Sequence, residues 1–148
     1  MDRAFITSFL TAMSNIVKLQ NAEYKRIGAE YGLTAIDVSI IVFLENNPTK
    51  QSASDIVELK HLAKGNVSKS IETLSKKGFI KIIPDISDMR RKNLILLEPS
   101  REIIEKAFAM YESYEDIFLI NNDLFMKSVE NIIKAGEKAR NALGELNE

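Results

Sequence analysis

Apolar residues recur along this chain at helical spacing over long stretches, broken once by two short runs of a different kind. Phe5, Phe9, Met13 and Ile16 follow one another at steps of three and four, and Leu10, Val17, Tyr24 and Ile27 continue the series. The spacing predicts one long helix over residues 3–31, stopped by Gly32. Its apolar band is wider than packing against a single core requires. Thr34, with Asp37 three residues on, suits the start of a second helix whose buried side is Ile36, Ile40, Ile41 and Phe43 or Leu44, and Pro48 follows its end. Ser52 or Ser54 can cap a short third helix holding Ile56, Val57 and Leu59. A fourth helix is predicted over residues 63–77. Val67, Ile71 and Leu74 make its buried side, and Lys64, Gly65, Asn66, Ser68, Lys69, Glu72, Thr73 and Lys76 make the other. Gly78 ends it.

Residues 79–83 and 93–97 are short and strongly apolar, the first rich in β-branched isoleucine, and read as antiparallel strands. The segment between them, with Arg90, Arg91 and Lys92 at its far end, is longer than the 2–5 residues or so of an ordinary hairpin loop. Pro99 suits the first turn of a fifth helix, strongly apolar through Ile103, Ile104, Ala107, Phe108, Tyr111 and residues 114–118. A last helix from about Asn122 carries Leu124, Phe125, Val129, Ile132, Ile133, Ala139 and Leu143. The predicted fold is therefore mainly α with a small antiparallel β-wing. A winged helix-turn-helix lobe at 34–97 is flanked by terminal helices at 1–31 and 99–148, all in one domain of 148 residues.

Charge sharpens this picture. The chain has 20 Lys and Arg against 21 Asp and Glu, a net charge of −1. Residues 60–92, however, hold nine basic side chains and three acids, +6, while the remainder carries −7. A basic middle between acidic ends sets up a local positive field on a near-neutral protein. No cysteine is present, which excludes disulfides, thiolate catalysis and cysteine redox sensing, and one histidine, His61, makes no zinc site with the usual ligands. There is no nucleophile elbow, Gly-rich phosphate loop or Ser–His pair with a plausible acid, so neither enzymatic activity nor a cofactor or metal is expected. No window approaches the roughly 20 apolar residues of a membrane span. Residues 4–17 are uncharged after Arg3, but Thr7, Ser8, Thr11, Ser14 and Asn15 interrupt them. An amphipathic helix is expected there rather than a signal peptide, and a cytoplasmic location follows.

A short helix, a tight turn and a second helix with a polar outer side form a helix-turn-helix. A major groove about 12 Å wide admits one helix, whose exposed side must donate hydrogen bonds and positive charge. Lys64, Asn66, Ser68 and Lys69 do so; a merely solvated helix face is the plain alternative. A two-stranded ribbon tipped with Arg90-Arg91-Lys92 directly after that helix is a wing, since a narrow minor groove attracts an inserted arginine. Arg90 is also placed to pair with Asp85 or Asp88, which would stiffen the loop or orient the arginine.

Residues 54–59 and 67–80 resemble the helix-turn-helix of the MarR family. Asp88-Met89-Arg90 resembles its Asp-x-Arg wing signature, and Leu33-Thr34 the Leu-Thr that opens its second helix. The resemblance implies a dimer with interlocked terminal helices. It places Gly65, Asn66 and Lys69 at bases and Arg90 in the minor groove, and it implies a small aromatic or phenolic effector, cupped between dimer helices and lobe, that releases DNA from a repressor. Phe9, Tyr24 and Tyr111 suit either such a pocket or plain core. The expected DNA-contacting set is Lys64, Gly65, Asn66, Ser68, Lys69, Ser70, Lys76, Arg90, Arg91 and Lys92, with Asp88 orienting the wing. Four departures stand out: His61 replaces the turn glycine, Ala63 the capping Ser or Thr, Gly65 weakens the helix by up to about 1 kcal/mol, and Leu97-Glu98 stands where the family has Leu-Thr after the wing.

Once the lobe has covered its own helix faces, Phe5, Phe9, Leu10, Phe108, Tyr111, Ile117, Phe118, Phe125 and Ile132 on the outer helices have little left to cover them. That extent of apolar surface predicts a homodimer. Two-fold symmetry then sets the recognition helices about 34 Å apart on a pseudo-palindromic duplex. The competing reading, a winged helix that binds a protein instead of DNA, requires apolar residues on the outer side of the fourth helix.

Overall fold

The computed structural model describes residues 3–88, 90–114 and 123–145. Met89, Ile117 and Phe118, and the side chains of Phe5 and Phe125, lie outside the described residues. The elements are α1 (Arg3–Tyr31), α2 (Ala35–Asn46), α3 (Ala53–Lys60), α4 (Lys64–Lys76), β1 (Ile80–Pro84), β2 (Lys92–Leu96), α5 (Ser100–Ser113) and α6 (Asp123–Glu145). The chain divides into two compact units at residue 109, within α5.

The first unit is built around α2. Eight consecutive residues of this helix, Asp37 to Leu44, are buried, so it is wrapped on all sides rather than on the single side its sequence pattern predicts. A helix apolar all round is a core helix. Ile27 of α1, Ile56 of α3, Leu74 of α4, Leu94 of β2 and Ile103 of α5 are buried with it. Thr34 caps α2 as a reciprocal box: Asp37 N–H donates to Thr34 Oγ1 at 3.2 Å and Thr34 N–H to Asp37 Oδ2 at 2.8 Å. Of the two serines that could cap α3, Ser52 does so, and its box partner is Asp55.

Helices α1 and α4 end alike. Gly32 sits at φ +63° and Gly78 at φ +76°. Leu33 N–H reaches back to Gly28 O at 2.8 Å, and Phe79 N–H to Leu74 O at 2.9 Å. These are Schellman ends, and each turns the chain sharply into the next element. Phe79 thus belongs to the turn, and β1 starts one residue later than the β-branched run predicts. The strands pair antiparallel with Ile80 opposite Leu96, Ile82 opposite Leu94 and Pro84 opposite Lys92. Pro84 has no N–H to donate and sits at the end of the ladder, where none is needed.

Only the last turns of α1 join this core. Tyr24 and Ile27 are buried, whereas Leu10 and Val17 are 61% and 60% exposed and Ile6 and Met13 are also uncovered. These four residues fall at steps of four, three and four along one stripe. Phe9 is half-buried. In the second unit, Met126, Ile132 and Ile133 of α6 are exposed, and Tyr111 near the end of α5 is half-buried. No helix among the described residues is by itself long and apolar enough to cross a membrane.

Candidate nucleic-acid interface

Helix α4 owes its position to Val67, Ile71 and Leu74, which are buried in the lobe. The opposite side carries Lys64, Gly65, Asn66, Ser68 and Lys69, all exposed. Among the described residues the side chains of Lys64, Asn66 and Lys69 have no hydrogen-bond or ion-pair partner, so their donors are open to a ligand. Ser70 is a correction to this set. It is 5% exposed, because position 70 precedes Ile71 on the inward edge of the helix, in a groove it shares with Thr34, Ile36 and Asp37 at the start of α2. Lys76 is exposed but paired with Glu72 one turn back, at 2.5 Å. Lys77 donates to Tyr31 O at 3.4 Å, joining the ends of α4 and α1.

The departures at the turn have structural counterparts. His61 adopts φ 52° and ψ 35°, the left-handed conformation that the turn requires, and is exposed there. Ala63 offers no side-chain cap to α4. The first N–H groups of α4 are therefore left to solvent or to an anion such as a backbone phosphate. Gly65 faces open space: a Cβ built on it meets nothing within 4 Å. Gly65→Ala should therefore raise stability by about 0.5–1 kcal/mol through helix propensity and the unfolded chain. Thermal unfolding checks this; a loss of stability would show that α4 has a constraint at that position.

The wing is tied to the lobe more firmly than its length suggests. Asp85 N–H donates to Arg91 O at 2.9 Å and closes the loop at its base. Asp85 Oδ1 accepts from Ser87 N–H at 2.8 Å and Ser87 Oγ at 2.5 Å, and Oδ2 accepts from Asn93 Nδ2 at 2.9 Å. These bonds, that from the Ser87 hydroxyl foremost, hold the Asp85 carboxyl far below the usual carboxylate range. Asp88 Oδ1 accepts from Arg90 N–H at 3.0 Å, so it positions Arg90 through the backbone. The Arg90 guanidinium is exposed and has no partner among the described residues. Lys92 is exposed as well.

Arg91 turns the other way. Its Nη2 donates to Asp55 Oδ2 at 2.5 Å. Asp55 is 9% exposed, and the same Oδ2 also accepts from Ser52 N–H at 2.9 Å and Ser52 Oγ at 2.7 Å. Burial pushes the Asp55 carboxyl up, but the bonds from Ser52 and Arg91 outweigh it and leave it below its ordinary value. One carboxylate thus caps α3 and anchors the wing. A second tie runs beside it: Ser52 bridges to Asn93, and Leu94 N–H donates to Gln51 O at 2.8 Å. The capping role of Asp55 is legible in the serine three residues before it, but nothing local marks its pairing with Arg91, 36 residues away.

Helix, turn and ribbon make a single polycationic surface, carried on a buried helix and closed by a wing. Residues 31–91 match the MarR family. The winged-helix fold of MarR regulators extends over most of the chain. A MarR regulator from Methanosarcina mazei Go1 is 16% identical with a TM-score of 0.72, over 93% of this chain and 99% of that one. A Listeria monocytogenes protein of the MarR type, complexed with 26mer DNA, is 15% identical with a TM-score of 0.72, over 88% and 87%. Staphylococcus aureus MarR in complex with salicylate and kanamycin is 16% identical with a TM-score of 0.63, over 95% and 91%. A comparison with curated protein sequences finds no match.

Within this lobe, a cavity of about 430 Å³ opens between α3 and α4. Ala53, Val57 and Val67 make it apolar, and Ser54, Glu58, Lys64 and Ser68 also line it.

Proposed function

We propose that this chain is a sequence-specific regulator of transcription that binds double-stranded DNA as a homodimer on a pseudo-palindromic operator. One observation carries the reading: the exposed side of α4 presents Lys64, Asn66, Ser68 and Lys69 without partners, beside a wing whose Arg90 is also unpaired. That side lacks the apolar patch that a protein-docking helix needs, which disfavours a winged helix specialised for protein binding. The DNA complex of the Listeria relative supports the same reading.

On this reading Gly65, Asn66 and Lys69 meet base edges, Lys64 and the uncapped start of α4 meet phosphate, and Arg90 and Lys92 flank the minor groove. Dimerisation covers the stripe of Ile6, Leu10, Met13 and Val17 on α1 and, separately, the exposed Ile132 on α6, and draws in Phe9, Phe108 and Tyr111. The protein acts as a repressor that a small aromatic or phenolic effector releases. The salicylate complex of the S. aureus relative supports this; for the seat we propose the α3–α4 cavity beside Lys64 in place of the expected pocket between the dimer helices and the lobe.

Selection of bound duplex from a random pool tests the proposal, with a symmetric site of two half-sites about one helical turn apart as the expected product. On that duplex Lys69→Ala should lower affinity by about 1–3 kcal/mol and relax the preference at one base pair per half-site. Arg90→Ala should weaken binding and flatten the salt dependence by about one unit per wing. A purified protein that stays monomeric and retains no duplex in dilute buffer would refute the proposal.

A further inference from the structure

The wing contains one side chain that a polycationic finger does not need. Ile86 is fully exposed, the most exposed large apolar residue among those described, in a loop whose other described members are Asp85, Ser87, Asp88, Arg90 and Arg91. A lone exposed isoleucine is ordinary on a protein surface. This one differs because it cannot fold back. Asp85 on one side accepts from the backbone and hydroxyl of Ser87, the loop is closed by Asp85 N–H on Arg91 O, and Arg91 is pinned to Asp55. The side chain is therefore held outward on an ordered turn, so little further ordering opposes its burial by a partner.

The surroundings indicate which partner. Among the described residues of its loop Ile86 has no apolar neighbour, and Lys81, Arg90 and Lys92 on the same ribbon are exposed cations that draw it to a polyanion. Duplex DNA offers apolar surface to such a tip at sugar edges and between base pairs of the minor groove, where isoleucine is one of the side chains that wedge a step open. We propose that Ile86 is a minor-groove wedge, inserted beside the Arg90 guanidinium at the outer end of each half-site, and that it favours the easily unstacked TA and CA/TG steps. This rests on the DNA-binding reading and adds to it a determinant of specificity that forms no hydrogen bond.

The test uses the full-length protein and the duplex obtained by selection, with Ile86→Asn, Ile86→Leu and Arg90→Ala compared with wild type. Binding is measured across a salt series, and DNA bending by energy transfer between end labels. Ile86→Asn should weaken binding about tenfold, since the apolar burial of one isoleucine is lost. It should reduce the bend, leave the salt slope unchanged and erase discrimination against a stiff A-tract at the outer step. Ile86→Leu should retain all three properties, and Arg90→Ala should lower the salt slope instead. All variants should unfold at the wild-type temperature, because position 86 makes no packing contact to lose. Binding and bending by Ile86→Asn within about twofold of wild type would overturn the wedge alone. Failure of wild type to bind any duplex would overturn the wedge together with the function it rests on.

Discussion

Asp55→Ala should destabilise the lobe by about 2–3 kcal/mol and loosen the wing at the same time. Two losses add. Removing a capping acid that serves Ser52 costs about 1 kcal/mol. Removing the partner of Arg91 strands a guanidinium whose side chain is 41% exposed, and whose Nε is already buried without a partner, at a cost of about 1–2 kcal/mol after allowance for solvent. Against a total stability of about 5–15 kcal/mol this is a large fraction, equivalent to a fall in melting temperature of roughly 5–10 °C. Calorimetry or circular dichroism measures it. A loss below about 0.5 kcal/mol, the range of an ordinary surface substitution, would mean that Asp55 is not the anchor described. Arg91→Ala, which leaves the α3 cap intact, should cost less. Both substitutions should weaken DNA binding without changing the salt slope, because they misplace the wing rather than remove a phosphate contact; a lower slope for Arg91→Ala would return Arg91 to the DNA-contacting set.

The same carboxylate predicts a pH dependence with a definite sign. Asp55 has a lower pKa in the folded state than in the unfolded chain. Its contribution is complete above the ordinary carboxylate value of 3.8 and is lost as pH falls through the depressed folded value. Wild type should thus lose stability below about pH 4, and Asp55→Asn should lose less over the same interval.

Gly28→Ala is the second large effect, opposite in sign to Gly65→Ala although both glycines are helical. A Cβ at Gly28 would stand 2.6 Å from Leu33 O and 3.2 Å from Val38 Cγ2. Leu33 cannot yield: its side chain is buried and its N–H is bonded to Gly28 O at 2.8 Å. Overpacking against backbone costs about 3 kcal/mol, and the better helix propensity of alanine returns about 1 kcal/mol, which leaves a net loss of about 2 kcal/mol. Equilibrium unfolding in urea measures it, and wild-type stability in this variant would show that the crossing of α1 and α2 can relax. Because α1 carries the exposed stripe at its other end, Gly28→Ala should also lower the apparent affinity between protomers on the dimer reading.

The contrast between the two glycines shows where local pattern stops. In sequence each is a small residue inside a helical run, and only the position of Leu33 O separates a required glycine from a tolerated one. Ser70 is a similar case. Its neighbours Ser68 and Lys69 are exposed, and polarity alone placed it with them, but helical phase turns it toward α2. Arg90 and Arg91 are adjacent and chemically identical, yet one stands free and the other is bound to Asp55. Periodicity over a few residues reports which side of an element is apolar; it does not report which polar side chain meets another 36 residues away.

The chain's own pattern of residues was sufficient for the helices, their order, the cap at Thr34, the choice of Ser52 or Ser54 for α3, the stops at Gly32 and Gly78, the hairpin and the polar, basic outer side of α4, because each depends on interactions within about one turn or one strand pair. The tertiary structure alone decided that α2 is buried all round, that Asp55 fastens the wing, that Arg91 is spent in doing so and that Ile86 is held outward. Those outcomes depend on which distant segments packing brings together, and no local free energy encodes that choice.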